Sequence, residues 1–237
     1  MKLKNKIMKK AIIIVSGGMD SVTLLYDVVK KHGKKNISAI SFKYGSKHMN
    51  REIPMAEYNC KKLGVKHQVV NVKEVFKNFN SALLNKKDSE AIPQGHYASS
   101  NMKKTVVPFR NGILLSIAAG FAETNDAKII YYGAHAGDHT IYEDCRKEFV
   151  DAISEAIKQG TSNKIVIRAP YWNMNKKGII KRGVKLGVDY SKTWTCYDPR
   201  RKKACGRCGS CHERLEAFKL NKMTDPLDYV SMFRDKN

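Results

Sequence analysis

Ala11-Ile12-Ile13-Ile14-Val15-Ser16-Gly17-Gly18-Met19-Asp20-Ser21 is the stretch that decides how this chain folds. Five apolar, mostly β-branched residues read as a buried strand. The run stops at Ser16-Gly17-Gly18, and Val22, Leu25, Val28 and Val29 then recur at helix spacing. A strand that passes through two glycines straight into a helix makes a cradle for an anion. Glycine opens backbone angles closed to other residues, and the first turn of a helix carries N–H groups with no partner. The ligand this predicts is a nucleotide phosphate. The Lys of G-x-x-x-x-G-K-[ST] is missing, so a Walker loop that grips the γ-phosphate does not fit. A bare Ser-Gly-Gly is ordinarily a turn, and it is the flanking strand and helix that make it a binding loop.

Outward from this junction, strand-like runs recur at Ala11 to Val15, Ile37 to Phe42, His67 to Val72, Lys128 to Gly133 and Lys164 to Arg168. Helix-period segments lie between most of them, which predicts an α/β fold with a doubly wound, mostly parallel sheet. Ile113, Leu114, Ile117, Ala118 and Phe121 form one apolar helix face, and Phe149, Val150, Ile153, Ala156 and Ile157 another. Both are expected in the core. The polar interval from about Lys73 to Val107 is long for a connection and is expected to be functional or mobile, a candidate lid. No repeat and no Gly/Ser/Pro-rich linker separates large domains. The chain divides into a nucleotide-binding α/β domain, 1–190, and a small C-terminal cysteine-bearing appendage, 191–237.

With 237 residues and 42% hydrophobic content, the chain can bury a sizeable core. No run approaches the roughly 20 apolar residues of a bilayer span. Met1 to Lys10 is basic and leads into an apolar stretch, but that stretch is too short for a signal peptide and ends without a small-residue cleavage site. A cytoplasmic, membrane-free protein is expected. The formal charge of +22, from 44 Lys and Arg against 22 Asp and Glu, suits a polyanion partner. The competing reading is a solvated lysine surface (Lys30, Lys31, Lys34, Lys35, Lys61, Lys62, Lys86, Lys87), and it is preferred. Direct nucleic-acid binding stays open but is not favoured, because no aromatic residues interleave the charges.

Four cysteines share one window, Cys196-x8-Cys205-x2-Cys208-x2-Cys211. Two-residue spacing lets neighbouring thiolates face one tetrahedral ion, and a cytosolic setting disfavours disulfides. Zinc is the first choice and an iron–sulfur cluster the second, since C-x2-C-x2-C also opens ferredoxin-type runs. A four-thiolate zinc site has no open position, so its role is structural. Arg200, Arg201, Lys202, Lys203, Arg207 and Arg214 are expected to offset its negative charge. Cys60, in Ala56 to Leu63, reads as a buried helix cysteine.

The Ser16–Ser21 hexapeptide resembles the loop of the PP-loop ATP pyrophosphatases, an adenine nucleotide alpha hydrolase-like fold. Further segments narrow the resemblance: Phe42-Lys43-Tyr44-Gly45-Ser46-Lys47-His48, Pro108-Phe109-Arg110-Asn111, Gly133 to His139, Tyr142 to Phe149, and the four cysteines. Together, over about Ala11 to Asp228, they are similar to the 7-cyano-7-deazaguanine synthase family of the queuosine pathway. That resemblance implies a homodimeric ATP-dependent ligase that forms a C–N bond and carries structural zinc. Its reaction takes 7-carboxy-7-deazaguanine, ammonia and ATP to 7-cyano-7-deazaguanine through an adenylated carboxylate and an adenylated amide. It implies that Ser16, Gly17, Gly18, Met19, Asp20 and Ser21 hold the pyrophosphate, Asp20 with Mg²⁺, and that Phe42 and Tyr44 border the adenine. Arg110 and Asn111 are then expected at the α-phosphate or substrate carboxylate, and His135, Asp138, Asp144 and Arg146 at the deazaguanine edge or in proton handling. His48 and Glu52, four apart on one helix face, read equally as an active-site pair or a solvated one. Asp138 and Asp144 read alternatively as caps of turns or helices. Catalytic expectations rest on Asp20, Arg110, His48, Asp138 and Arg146. Ser46 and Lys147 depart from the family pattern, which carries Gln and Pro there. The alternatives are a PP-loop tRNA-modifying enzyme of the thiolase or lysidine synthetase type, and a relative that stops at the amide.

Overall fold

The computed structural model describes residues 10–85, 90–96, 99–200 and 202–230. Residues 1–9, which hold most of the basic N-terminal run, and Lys86, Lys87 and Arg201 from the readings above lie outside the described residues.

Five strands, β1 (Ala11–Ile14), β2 (Ile37–Lys43), β3 (Lys66–Asn71), β4 (Ile129–Tyr131) and β5 (Val166–Arg168), form one sheet in the order β3-β2-β1-β4-β5. Every pair is parallel, as the strand–helix alternation predicts. β1 is central. Its Ile12 sits opposite Ser38 and Ile130, its Ile13 opposite Ala39 and Tyr131. Ile12 enters one hydrophobic core with Ile40 and Phe42, while Ile13 and Val15 enter the other. Both faces of β1 are covered, which is why its sequence is continuously apolar rather than alternating.

The helices are α1 (Met19–His32), α2 (Met49–Leu63), α3 (Lys73–Phe76), α4 (Arg110–Thr124), α5 (Lys147–Gln159), α6 (Lys176–Lys185) and α7 (Gly209–Leu220). α1, α2, α6 and α7 supply Val22, Leu25, Cys60, Ile179, Ile180 and Phe218 to one core. α4 and α5 supply Leu114, Leu115, Ala118, Val150 and Ile157 to the other. The α5 face is less buried than its periodicity suggests: Ala156 is exposed, and Phe149 and Ile153 are half-buried along an apolar groove between α4 and α5. Residues 191–230 pack into both cores, through Trp194 and Ala204 on one side and Ala217 and Phe218 on the other.

The 73–107 interval differs from the expected lid. Leu83, Leu84 and Met102 are fully buried, the Lys47 N–H donates to the Leu83 carbonyl (2.8 Å), and the Gly95 N–H donates to the Arg207 carbonyl (3.1 Å). Its apolar residues are too few to show a period yet enough to pin its described parts. The stretch Ser100–Thr124 is long and apolar enough on composition to cross a membrane, but its regular α-helix is only α4. Fifteen helical residues span about 22 Å, short of a bilayer core, and Leu114, Leu115 and Ala118 face the sheet.

Arg214 corrects one expectation. It does not sit over the cysteines as a counter-charge but is fully buried, with all five donors used. Nε and Nη2 donate to Asp225 (2.7 and 3.0 Å), Nη1 to the Thr193 and Thr195 hydroxyls (2.8 and 3.1 Å), and Nη2 also to the Tyr190 carbonyl (3.0 Å). Removing one partner leaves a buried charge alone, so Asp225→Ala is expected to lower the unfolding free energy by about 3–5 kcal/mol in a urea titration. A loss under about 1 kcal/mol contradicts this role.

Candidate active site

β1 hands on to β2 on one side and β4 to β5 on the other, so a crevice opens between the carboxyl ends of β1 and β4. Doubly wound sheets bind ligands at such a point. The Ser16–Ser21 loop forms its floor. The Ser21 hydroxyl donates to the Gly18 carbonyl (3.2 Å) and lies 3.0 Å from the Ser16 hydroxyl, which accepts the Gly18 N–H (3.1 Å). Gly17 stands at φ +100°, and a Cβ there would come within 2.0 Å of the Glu52 carbonyl oxygen. Only glycine fits. The first backbone bond of α1 is Val22 N–H to Gly18 O (3.0 Å), which leaves the N–H groups of Met19, Asp20 and Ser21 ahead of it at the helix's positive end.

A buried cluster of charges stands beside the loop. Asp20 Oδ2 lies 3.2 Å from Lys176 Nζ and 3.7 Å from His135 Nε2. Lys176 Nζ is also 2.8 Å from Glu213 Oε2, and His135 Nε2 is 3.4 Å from Asp138 Oδ2. His135 Nδ1 accepts the Gly137 N–H (3.1 Å), so the neutral ring keeps its proton on Nε2, between the two carboxylates. Burial alone would raise the Asp20 carboxyl, but Lys176 and His135 hold it below its ordinary 3.8. Burial alone would lower Lys176, but Asp20 and Glu213 lift it above its ordinary 10.5. Asp20 thus contributes stability above about pH 4 that is lost in acid, and Lys176 contributes stability below about pH 10 that is lost in base. Both stay charged at neutral pH. Asp20 Oδ1 is buried without a hydrogen-bond partner, and a carboxylate with one oxygen on an ammonium and the other open suits a divalent cation.

The opposite wall starts at Phe109, whose left-handed backbone (φ 49°, ψ 27°) is uncommon for an aromatic residue and turns the chain into α4. Arg110 Nη1 reaches the Tyr44 hydroxyl at 3.5 Å, and the guanidinium lies 5.7 Å from the Tyr44 ring centre. Asp144 accepts from the Asn111 N–H (2.8 Å) and side-chain amide (3.1 Å), fixing the start of α4. Across the pocket, His48 Nε2 pairs with Glu52 Oε2 at 3.3 Å, and the ring lies 5.1 Å from Tyr197. His48 Nδ1 is buried with no hydrogen-bond partner.

Of the residues singled out in the sequence, Ser16, Gly18, Asp20, Ser21, Tyr44, His48, Arg110, Asn111, His135 and Asp138 come together around this pocket. Gly17 and Met19 support the loop from beneath, both buried. Phe42, Asp144 and Arg146 do not line the pocket. Phe42 lies inside β2 with its ring in the core, and only Tyr44, two residues on, passes the strand's end. Asp144 serves the α4 terminus, and Arg146 is an exposed cap residue of α5. Lys147 pairs with Asp151 on the surface, and Ser46 is buried in a bridge with Leu84.

Cys196, Cys205, Cys208 and Cys211 are all buried, with their sulfurs within 4.8 Å of one another. Such a set can hold a metal ion. The Cys205 N–H donates to Cys196 Sγ (3.2 Å), and the Arg207 and Cys208 N–H groups donate to Cys205 Sγ (3.3 Å each), the pattern expected around thiolates. The cluster adjoins the pocket. Trp194, Thr195 and Tyr197 flank Cys196 and line it, and the Trp194 N–H donates to the Gly17 carbonyl (2.9 Å).

The model of the family described as queuosine biosynthesis protein QueC matches residues 10–222, a span that takes in the loop, the pocket and all four cysteines. The chain belongs to the QueC family. The 7-cyano-7-deazaguanine synthase 2 of Colwellia psychrerythraea is 49% identical over 222 residues, covering 94% of this chain and 99% of that one. The 7-cyano-7-deazaguanine synthase of Hahella chejuensis is 48% identical over 225 residues, 94% of each. Among solved structures, the U34-tRNA thiolase NcsA of Methanococcus maripaludis, described with its [4Fe-4S] cluster, has a TM-score of 0.52 at 14% identity, over 92% of this chain and 66% of that one. At that identity the likeness speaks for the PP-loop fold alone.

This QueC-family pocket is lined by residues that the sequence reading missed, Lys176, Tyr132, Trp194 and Tyr197, and Glu213 pairs with Lys176 from outside the lining. One signal was available for Lys176. It opens a helix behind Asn175, whose side chain caps the Gly178 N–H, and lysine at that end opposes the helix dipole.

Proposed function

We propose that this chain converts 7-carboxy-7-deazaguanine and ammonia to 7-cyano-7-deazaguanine in two ATP-dependent activations. The observation that carries the reading is a nucleotide loop and a charged, aromatic-walled pocket at one crevice, in a chain of the QueC family. A carboxylate resists amine attack because its leaving group is oxide. Joined to AMP, that oxygen leaves readily and ammonia gives the amide. A second adenylation on the amide oxygen, then loss of AMP and the N–H protons, leaves the nitrile. The residues of the loop and the first-turn N–H groups of α1 bind pyrophosphate, and Asp20 Oδ1 holds Mg²⁺ against it. When bound, that ion neutralises phosphate charge. Arg110 orients the α-phosphate or substrate carboxylate, with Asn111 beside it. Tyr44 borders the adenine. His135 and Asp138 take the deazaguanine edge, and the His48–Glu52 pair accepts the proton that ammonium must lose before it attacks.

No covalent nucleophile is required. Burial, together with Asp138 and Asp144, pushes the Cys145 thiol up, and burial pushes the Cys60 thiol up to about 12, so neither is poised as a thiolate. Zinc is the ion that the four cysteines would hold. Four thiolates at about 2.3 Å from one tetrahedral ion stand about 3.8 Å apart, close to the 3.9 Å between Cys205 and Cys211 sulfurs. Ligands of a four-iron cluster bind separate irons and stand further apart. The division at 190/191 is one of role: the first segment carries the phosphate loop and the second the four cysteines. A homodimer joined at the α4–α5 groove, where Phe109 is exposed, and a cytoplasmic location complete the reading.

The test is to incubate the protein with ATP, Mg²⁺, ammonium and 7-carboxy-7-deazaguanine and weigh the products. The nitrile with two AMP per molecule is expected. Amide alone identifies a relative that stops half-way, and neither product defeats the reading.

A further inference from the structure

Lys176 is 7% exposed and is held between two carboxylates from different parts of the chain, Asp20 at 3.2 Å and Glu213 at 2.8 Å. It also lines the pocket. A buried ion pair adds little to stability over an apolar packing of the same volume, and a lysine at the positive end of a helix loses further. The placement is costly for a purely structural device. Its geometry is informative in another way. Lys176 takes Asp20 by Oδ2 and leaves Oδ1 without a hydrogen-bond partner, so a cation can join the free oxygen without breaking the contact to the ammonium. Whatever phosphate group that cation carries then stands within reach of a second, fixed positive charge.

We propose that Lys176 is the cation that meets the leaving pyrophosphate in the adenylation, and that Glu213 is the positioning residue that holds it there. The inference rests on the reading of the Ser16–Ser21 loop as the pyrophosphate cradle. In that step a carboxylate oxygen bonds to the α-phosphorus, the bond from phosphorus to the bridging oxygen breaks, and the electron pair departs on pyrophosphate. No proton moves. Charge therefore accumulates on the leaving group alone, and a preorganised ammonium lowers the barrier by waiting where it accumulates. Glu213 keeps the ammonium from collapsing wholly onto Asp20. It stands two residues after Cys211 in α7, the helix that Cys208 caps, so the cysteine site sets the position of this charge as well as that of Trp194 at Gly17.

Four variants separate the outcomes: Lys176→Met, Glu213→Gln, Glu213→Asp and, for the loop, Ser21→Ala. Each is assayed for binding of inorganic pyrophosphate with Mg²⁺, for kcat and KM of ATP, for bound metal and for thermal midpoint. Lys176→Met is expected to weaken pyrophosphate about tenfold and to lower kcat about a hundredfold, with metal content unchanged. Glu213→Gln should lower kcat more than it raises KM, with metal content unchanged and the midpoint lowered, and Glu213→Asp should recover most of the loss in kcat. If Ser21→Ala weakens pyrophosphate while Lys176→Met and Glu213→Gln bind and turn over within twofold of the parent, the inference is overturned and the loop reading stands. If wild type itself binds no pyrophosphate, the loop reading falls and takes the inference with it. Should Lys176→Met not fold, Glu213→Gln decides alone, since it leaves the ammonium in place: parental kcat and affinity overturn the inference.

Discussion

Asp20→Asn lowers ATP turnover by about a thousandfold while the protein keeps its metal and its fold, the result expected if Asp20 carries both cations of the site. The substitution is isosteric, and the Oδ1 position stays filled. What it removes is the formal charge that draws Lys176 to 3.2 Å and His135 to 3.7 Å. An amide placed beside an ammonium also presents an N–H₂ where an acceptor is needed, so the lysine turns to Glu213. Steady-state release of pyrophosphate measures the loss, and a near-normal rate removes Asp20 from its assigned role. The pH behaviour separates this residue from its neighbours. With Asp20 held below 3.8 and Lys176 above 10.5, neither group titrates at neutral pH, so any bend in the wild-type rate between about pH 5 and 9 comes from other side chains.

Cys208→Ser is the second large effect. Structural zinc in a four-thiolate site contributes on the order of 10 kcal/mol to local folding, comparable to the stability of a whole domain. Loss of one thiolate is expected to release about one equivalent of zinc, read by a chromophoric chelator, and to expose residues 191–230 to protease. The damage does not stop there. Cys196 lies between Thr195 and Tyr197 on the pocket wall, and the Ser210 hydroxyl beside Cys211 donates to the Thr195 carbonyl (2.9 Å). Nucleotide affinity should fall along with the metal. A fully folded, metal-free wild-type protein contradicts the structural assignment.

The parts legible in the sequence are those written in neighbouring residues. The β1–Ser16–α1 junction, the parallel alternation and the cysteine spacing each depend on local pattern, and each stands in the structure close to where the pattern puts it. Illegible were the roles set by long-range packing. Nothing local distinguishes Tyr44, which passes the end of β2, from Phe42, which stays in the core. Asp144 and Asp138 look alike in sequence, yet one fixes α4 and the other faces His135. Arg214 sits in a basic, cysteine-rich window, and only its five bonds to Asp225, Thr193, Thr195 and Tyr190 reveal a buried brace. Lys176 belongs to a segment with no motif of its own, and Glu213 lies just past the cysteine run without being part of it. Their meaning arises only where α6 and α7 meet the loop.

The hydrogen bond from the Trp194 N–H to the Gly17 carbonyl joins two segments that are far apart in sequence. The strand–loop–helix junction is thus tied at one point to a segment that lies on the far side of the whole sheet in sequence. Main-chain cleavage anywhere between α6 and Trp194 would therefore loosen the loop at Gly17 even where β1 and α1 keep their own bonds.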